Sequence, residues 1–239
     1  MSSEEIQKIK IGISSCLMGE NVRFDSGHKK NDYVTGILNN YFEFSPFCPE
    51  VSIGLGIPRE TIRLVSVDDE VRCVGTKSAD LDVTEQLYQS ADDQKGWHVE
   101  LSGYILKKDS PSCGMERVKL YKGMEKGGMA EKIAVGLYAK RLMENFPHLP
   151  IEEEGRLSDP RLRENFIQRV YIYARWQEME HKGFTIGGLQ AFHAQHKYIF
   201  MSHNQNLGRA LGASLANSDK DIDTLALEYL SSMMTLLKS

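Results

Sequence analysis

Lys8 to Ser14 places isoleucine at alternate positions, Ile9, Ile11 and Ile13, and a period of two is strand spacing. Cys16 follows directly, then a turn at Gly19, Glu20 and Asn21. The stretch from Asn31 to Tyr41 predicts a helix with Tyr33, Ile37 and Leu38 on one side. Tyr41 to Phe47 is short and aromatic, as a buried strand would be, and it ends at Cys48-Pro49 because proline has no N–H for the ladder. Beyond the glycine-punctuated Ile53-Gly54-Leu55-Gly56-Ile57-Pro58, Thr61–Val67 and Glu70–Val74 read as a hairpin around Asp68-Asp69. Thr84–Val99 reads as a helix and Gly103–Lys107 as a strand leading into Asp109-Ser110-Pro111-Ser112-Cys113-Gly114. After Gly127-Gly128, residues 129–145 predict a helix, with Ala130, Ile133, Ala134, Leu137, Tyr138 and Arg141 on one face.

Strands that alternate with helices predict an α/β fold: an open, mostly parallel sheet with flanking helices. The pattern changes near residue 147, where Pro147, Pro150, Glu152-Glu153-Glu154 and Gly155 form a linker-like break. Asp159-Pro160 supplies a cap and a first-turn proline for a helix that carries Leu162, Phe166, Val170, Tyr173 and Ala174 and stops at Gly183. Further helices are expected over 186–202, 205–216 and 221–237, the last capped by Asp219 or Asp221. The expected domains are therefore 1–146, α/β, and 147–239, all-helical.

With 239 residues, the chain has room for two such domains. Its 29 basic and 33 acidic residues give a net charge of −4, which is no electrostatic footprint for nucleic acid or an anionic membrane. The polar Met1-Ser2-Ser3-Glu4-Glu5 lacks the basic-then-apolar run of a secretory signal, and no apolar stretch reaches the roughly 18 residues of a membrane span. A cytoplasmic protein is expected, in which the four cysteines have no need to form disulfides.

Three of them, Cys16, Cys48 and Cys113, fall at the carboxyl ends of expected strands. In an open parallel sheet those ends share the edge where ligands bind. Thiolates there suit soft metals or an iron–sulfur cluster, although no C-x-x-C supports the idea, and three unrelated buried cysteines remain the alternative. Cys73 sits within the hairpin and is expected to be packing. Glu50, two residues beyond Cys48, is a candidate general acid or base, and Ser110 and Ser112 are candidates to position water; ordinary turn chemistry competes with both readings. Arg23, Asp25 and Arg59 offer either a planar, bidentate ligand contact or a salt bridge pinning two loops. His193 and His196 share a helix face, but with no third ligand nearby, interhelix hydrogen bonds are the favoured reading over metal.

The segments Cys16-Leu17-Met18-Gly19, Val22 to Lys29, Phe47-Cys48-Pro49-Glu50, Ile53 to Glu60 and Ser110-Pro111-Ser112-Cys113-Gly114, in that order, resemble the DUF523 family, which includes the thiouracil desulfidases. The resemblance spans about residues 9–145. It implies a [4Fe–4S] cluster on Cys16, Cys48 and Cys113 with one iron lacking a protein ligand, catalytic roles for Glu50 and Ser110, and a small thiolated pyrimidine substrate desulfurated to uracil and hydrogen sulfide without net redox change. Substrate contacts would fall to Arg23, Asp25 and Arg59. Cys73 has no counterpart among the implied ligands. Residues from about 150, notably Asp159 to Phe166 and Phe192 to Tyr198, resemble the DUF1722 domain often fused behind it, which implies a helical module shortened at its end. Competing readings are a cluster enzyme of sulfur transfer or thiolation, and a non-enzymatic metal- or cluster-binding sensor.

Overall fold

The computed structural model describes residues 8–78, 80–123, 128–216 and 219–238; the Met1–Glu5 start and Gly127 lie outside them. In chain order the elements are β1 (Ile9–Ser14), β2 (Phe42–Phe47), α1 (Pro49–Ser52), β3 (Ile62–Val67), β4 (Glu70–Gly75), α2 (Thr84–Asp93), α3 (Lys95–His98), β5 (Tyr104–Leu106), β6 (Val118–Lys122), β7 (Ala130–Ala134), α4 (Leu137–Asn145), β8 (Ile151–Glu153), α5 (Pro160–His181), α6 (Ile186–His203), α7 (Gln205–Ala213) and α8 (Ile222–Leu237). The chain separates into two compact units at Pro160/Arg161.

The first unit holds two four-stranded sheets. One, in the order β2-β1-β5-β8, is parallel throughout. The other, β4-β3-β6-β7, combines a parallel β3–β6 pair with the antiparallel β3–β4 and β6–β7 hairpins. The isoleucine alternation holds: Ile11 and Ile13 are fully buried. Asp68 and Asp69 turn the β3–β4 hairpin with φ of 50° and 63°, a conformation that aspartate tolerates better than most side chains.

Four expectations change. The expected helix over 31–41 is a π-helical turn, Tyr33–Ile37, followed by a 3-10 turn, Leu38–Asn40. Its buried residues are Val34 and Leu38, while Ile37 is 54% exposed. The expected 84–99 helix breaks at Gln94 into α2 and α3. Residues 130–134 are a strand, not the first turns of a helix, because pairing with β6 outweighs their intrinsic preference. The break expected near 147 is instead β8, which extends the parallel sheet beside β5 and keeps residues 147–160 in the first unit.

Behind β5, His98 is fully buried among Trp97, Tyr104, Tyr138 and Phe146. Its Nε2 meets Tyr138 Oη at 2.7 Å, and its Nδ1 has no hydrogen-bond partner among the described residues. Burial disfavours the imidazolium and pulls its pKa from 6.5 to about 4. Between those values the unfolded chain binds a proton at His98 that the folded chain does not, so stability falls on acidification. Urea unfolding at pH 7 and pH 5 should show about 2 kcal/mol lost through this residue, a loss absent from His98→Gln.

The second unit is the helical region α5–α8. Its core gathers Trp176, Phe192, Phe200, Tyr229 and Met233, with Trp176 stacked on Tyr229. Asp221 caps α8 by accepting the Thr224 N–H at 2.9 Å. The two histidines make the interhelix bonds expected of them. Arg175 of α5 donates to His196 Nε2, which leaves Nδ1 to donate to Phe192 O, and His193 Nδ1 meets Tyr229 Oη of α8 at 3.0 Å. Among the described residues no helix is long and apolar enough to cross a membrane.

Candidate functional site

Parallel pairing of β2, β1 and β5 brings their carboxyl ends to one edge, and a cavity of about 360 Å³ opens there. Cys16 comes from the 3-10 turn after β1, Cys48 from the residue after β2, and Cys113 from the loop after β5; all three line the cavity. None of the four cysteines is in a disulfide. Cys73 is fully buried elsewhere, packed with Ile62, Leu64, Val83 and Leu87.

The Cys113 loop is built by local chemistry. Ser110 Oγ accepts the N–H of Cys113 at 3.1 Å and of Ser112 at 3.3 Å, and Gly114 N–H closes a turn onto Ser110 O at 2.8 Å. Amides at the start of α4 need acceptors outside the helix. Leu137 N–H finds Pro111 O, and Ala139 N–H finds Ser112 O. This close approach requires glycine at 136, where a Cβ would lie 2.6 Å from the Ser112 carbonyl. Asp109 and Arg117 bracket the loop with φ of 58° and 56°, each costing on the order of 1 kcal/mol.

Glu50, in the first turn of α1, faces the same cavity. Arg59 donates to its Oε2 from Nε at 2.9 Å and Nη2 at 2.8 Å, and Ser112 Oγ donates to its Oε1 at 2.6 Å. Ser110 Oγ lies 2.9 Å from Ser112 Oγ. A hydroxyl has one proton, and that of Ser112 goes to Glu50, so Ser110 donates to Ser112. The result is a file of three groups, Ser110–Ser112–Glu50, whose outer member lines the cavity and whose middle member is fully buried.

Each residue expected at the site can now be placed. Cys16, Cys48, Cys113, Glu50, Ser110, Arg23 and Arg59 line the cavity; Asp25 does not. Asp25 accepts the Gly27 N–H at 3.1 Å and lies 3.6 Å from Arg23 Nε, so it shapes the 23–27 turn instead of facing a ligand. Arg59 takes the salt-bridge alternative: it is only 4% exposed, spent on Glu50 and Gly56 O. Sequence reasoning singled out Ser112 without seeing its link to Glu50. Lys29 lies in the Val22–Lys29 segment but drew no role there, and Lys107 and Lys108 in the lining were missed, because a lysine pair after a strand reads as ordinary solvated surface.

The donor set fits an iron–sulfur cluster. Burial raises all three thiols, Cys16 to about 11, and the charge of Cys48 raises Cys16 and Cys113 further. Thiolates crowded in this way are relieved by a cationic metal centre, and Ser112 Oγ lies 3.6 Å from Cys113 Sγ, beside the sulfur while its proton goes to Glu50. Among the described residues no three His, Cys, Asp or Glu side chains close on a single metal ion. Five cationic residues, Arg23, Lys29, Arg59, Lys107 and Lys108, line the cavity against the carboxylates Glu50 and Asp109.

The family described as 2-thiouracil desulfurase matches residues 11–154. The chain belongs to the 2-thiouracil desulfurase family. A solved structure titled as a [4Fe–4S]-dependent thiouracil desulfidase, TudS, is 27% identical, with a TM-score of 0.50 over 65% of this chain and 95% of that one. None of the curated proteins matches. The family match covers both sides of the expected 146/147 boundary, in keeping with β8 as part of the first unit.

Proposed function

We propose that this desulfurase-family protein removes sulfur from small thiolated pyrimidines of the thiouracil type, yielding uracil and hydrogen sulfide, and does so without net electron transfer. The observation that carries the proposal is the meeting, in one cavity, of three cysteines from three strand ends with the Ser110–Ser112–Glu50 file. Cys16, Cys48 and Cys113 would hold a [4Fe–4S] cluster. When bound, it supplies a Lewis-acidic iron without a protein ligand, a soft partner for a thiocarbonyl sulfur.

The remaining chemistry belongs to the chain. Arg59 keeps the Glu50 carboxylate oriented by two N–H bonds to Oε2, and Oε1, which accepts from Ser112, has a second lone pair for water at the cavity wall. Glu50 takes a proton as the water oxygen bonds to the thiocarbonyl carbon. Once protonated, Glu50 becomes a donor and both hydroxyls rotate about their Cβ–Oγ bonds, so the file reverses: Glu50 passes one proton to Ser112, Ser112 one to Ser110, and Ser110 one to the sulfur as the carbon–sulfur bond breaks. The remaining water proton also reaches the sulfur, so one water and one C=S become one C=O and one H₂S. No oxidant or reductant enters. Arg23, its guanidinium over the Phe24 ring, lines the mouth as a contact for the pyrimidine's polar edge.

The helical unit is read as the DUF1722-type module on the segments from Asp159 to Phe166 and Phe192 to Tyr198, and the whole is read as cytoplasmic. The test is anaerobic reconstitution followed by iron and sulfide counts and turnover of 2-thiouracil and 4-thiouracil. Sulfide release without reductant is the expected result. A strict need for reductant would favour sulfur transfer, and a stable cluster with no turnover would favour a sensor.

A further inference from the structure

Glu152, Glu153 and Glu154, which composition reads as a linker, all converge on the loop that carries Cys113. Glu154 Oε2 accepts the Lys108 N–H at 2.7 Å, and Oε1 pairs with Lys107 Nζ. Glu153 Oε1 accepts the Met115 N–H at 2.7 Å and the Glu116 N–H at 3.4 Å. Glu152 reaches the same end through Arg156, whose Nε donates to Glu152 at 2.6 Å and whose Nη1 donates to Glu116 at 2.7 Å.

The loop is therefore gripped at residues 107–108 and 115–116, with Ser110, Ser112 and Cys113 between. These grips fall beside Asp109 and Arg117, the two left-handed residues. A segment strained at both ends relaxes unless neighbours hold it there. Glu152 and Glu153 are 3% and 6% exposed, and carboxylates so buried need donors. For Glu153 those donors are backbone amides of the loop, so the contact fixes the path of the chain and not one side chain.

We propose that Glu153 and Glu154 are positioning residues that hold loop 107–117 in its ligand-bearing shape before any metal arrives, presenting Cys113 preorganised to Cys16 and Cys48. The consequence for metal rests on the reading of Cys113 as a cluster ligand; the grip itself does not depend on that reading.

Amide hydrogen exchange on the metal-free full chain tests it. Glu153→Ala should speed exchange at Met115 and Glu116, and Glu154→Ala at Lys108, by about tenfold or more, with α5–α8 unchanged. Glu153→Gln, which keeps an acceptor oxygen at the same reach, should restore most of the protection. After reconstitution, the alanine variants should lose iron to a chelator roughly 10-fold faster than wild type. Wild-type exchange at all three amides in the alanine variants would overturn the proposal. If Glu153→Ala does not fold, Glu154→Ala decides alone, through Lys108. Loosened amides in a protein whose wild type binds no iron would uphold the grip and remove the cluster reading, so the two fail separately.

Discussion

Cys113→Ala is expected to give a folded protein that binds no stable cluster after anaerobic reconstitution and releases no sulfide above background. Cys73→Ala should keep both iron content and turnover close to wild type. The contrast is informative because both thiols are buried, Cys113 at 6% exposure and Cys73 at 0%, so burial alone does not separate them. Their surroundings do. Cys113 lines the cavity with Cys16 and Cys48, and the charge of Cys48 acts on it. Cys73 pairs across the β3–β4 hairpin with Leu64 and packs on aliphatic side chains, so losing its sulfur costs about 1 kcal/mol of packing and no ligand. Iron and sulfide counts with the charge-transfer absorbance of the cluster are the measurements. Full iron content in Cys113→Ala, or its loss in Cys73→Ala, would sink the ligand assignment.

The three-plus-one division of the cysteines is legible in the sequence because it depends on two local facts: strand periodicity, and which cysteines follow a strand. Parallel pairing then does the rest, since β2, β1 and β5 adjoin in one sheet. What is not legible depends on partners remote in sequence. Ala130–Ala134 consists largely of residues comfortable in a helix, and only pairing with Val118–Tyr121 makes it a strand. The helix begins at Leu137 because its free amides meet carbonyls of the Cys113 loop.

The acidic run 152–154 misleads for the same reason. Three adjacent carboxylates usually mark a solvated segment. Here β8 lies beside β5, and the donors to Glu153 and Glu154 are amides and a lysine of the loop that β5 feeds, at 37 to 47 residues' separation, while Glu152 reaches that loop through Arg156 and Glu116. Asp25 is the opposite case. Its place in a recognisable motif suggests a ligand contact, yet its carboxylate is used two residues away, on the Gly27 amide.

Glu50→Gln is expected to leave cluster assembly intact and to lower kcat by roughly 10²–10⁴-fold, the range for loss of a positioned proton acceptor. Glutamine keeps the length of the side chain and an oxygen for Arg59 or Ser112, but its amide cannot take the proton. Iron content and absorbance should match wild type, with KM little changed, because the lost interaction belongs to the reaction and not to substrate binding. Ser112→Ala removes the middle of the file while leaving Glu50 and its Arg59 bonds in place. If protons travel along the file, Ser110→Ala and Ser112→Ala should each slow turnover, and the double variant should be no slower than the worse single one, as expected for residues acting as a unit. Additive losses would mean that the two hydroxyls act separately. Full activity in Glu50→Gln would remove the carboxylate from the chemistry and leave Arg59–Glu50 as a strut between α1 and the 56–59 turn.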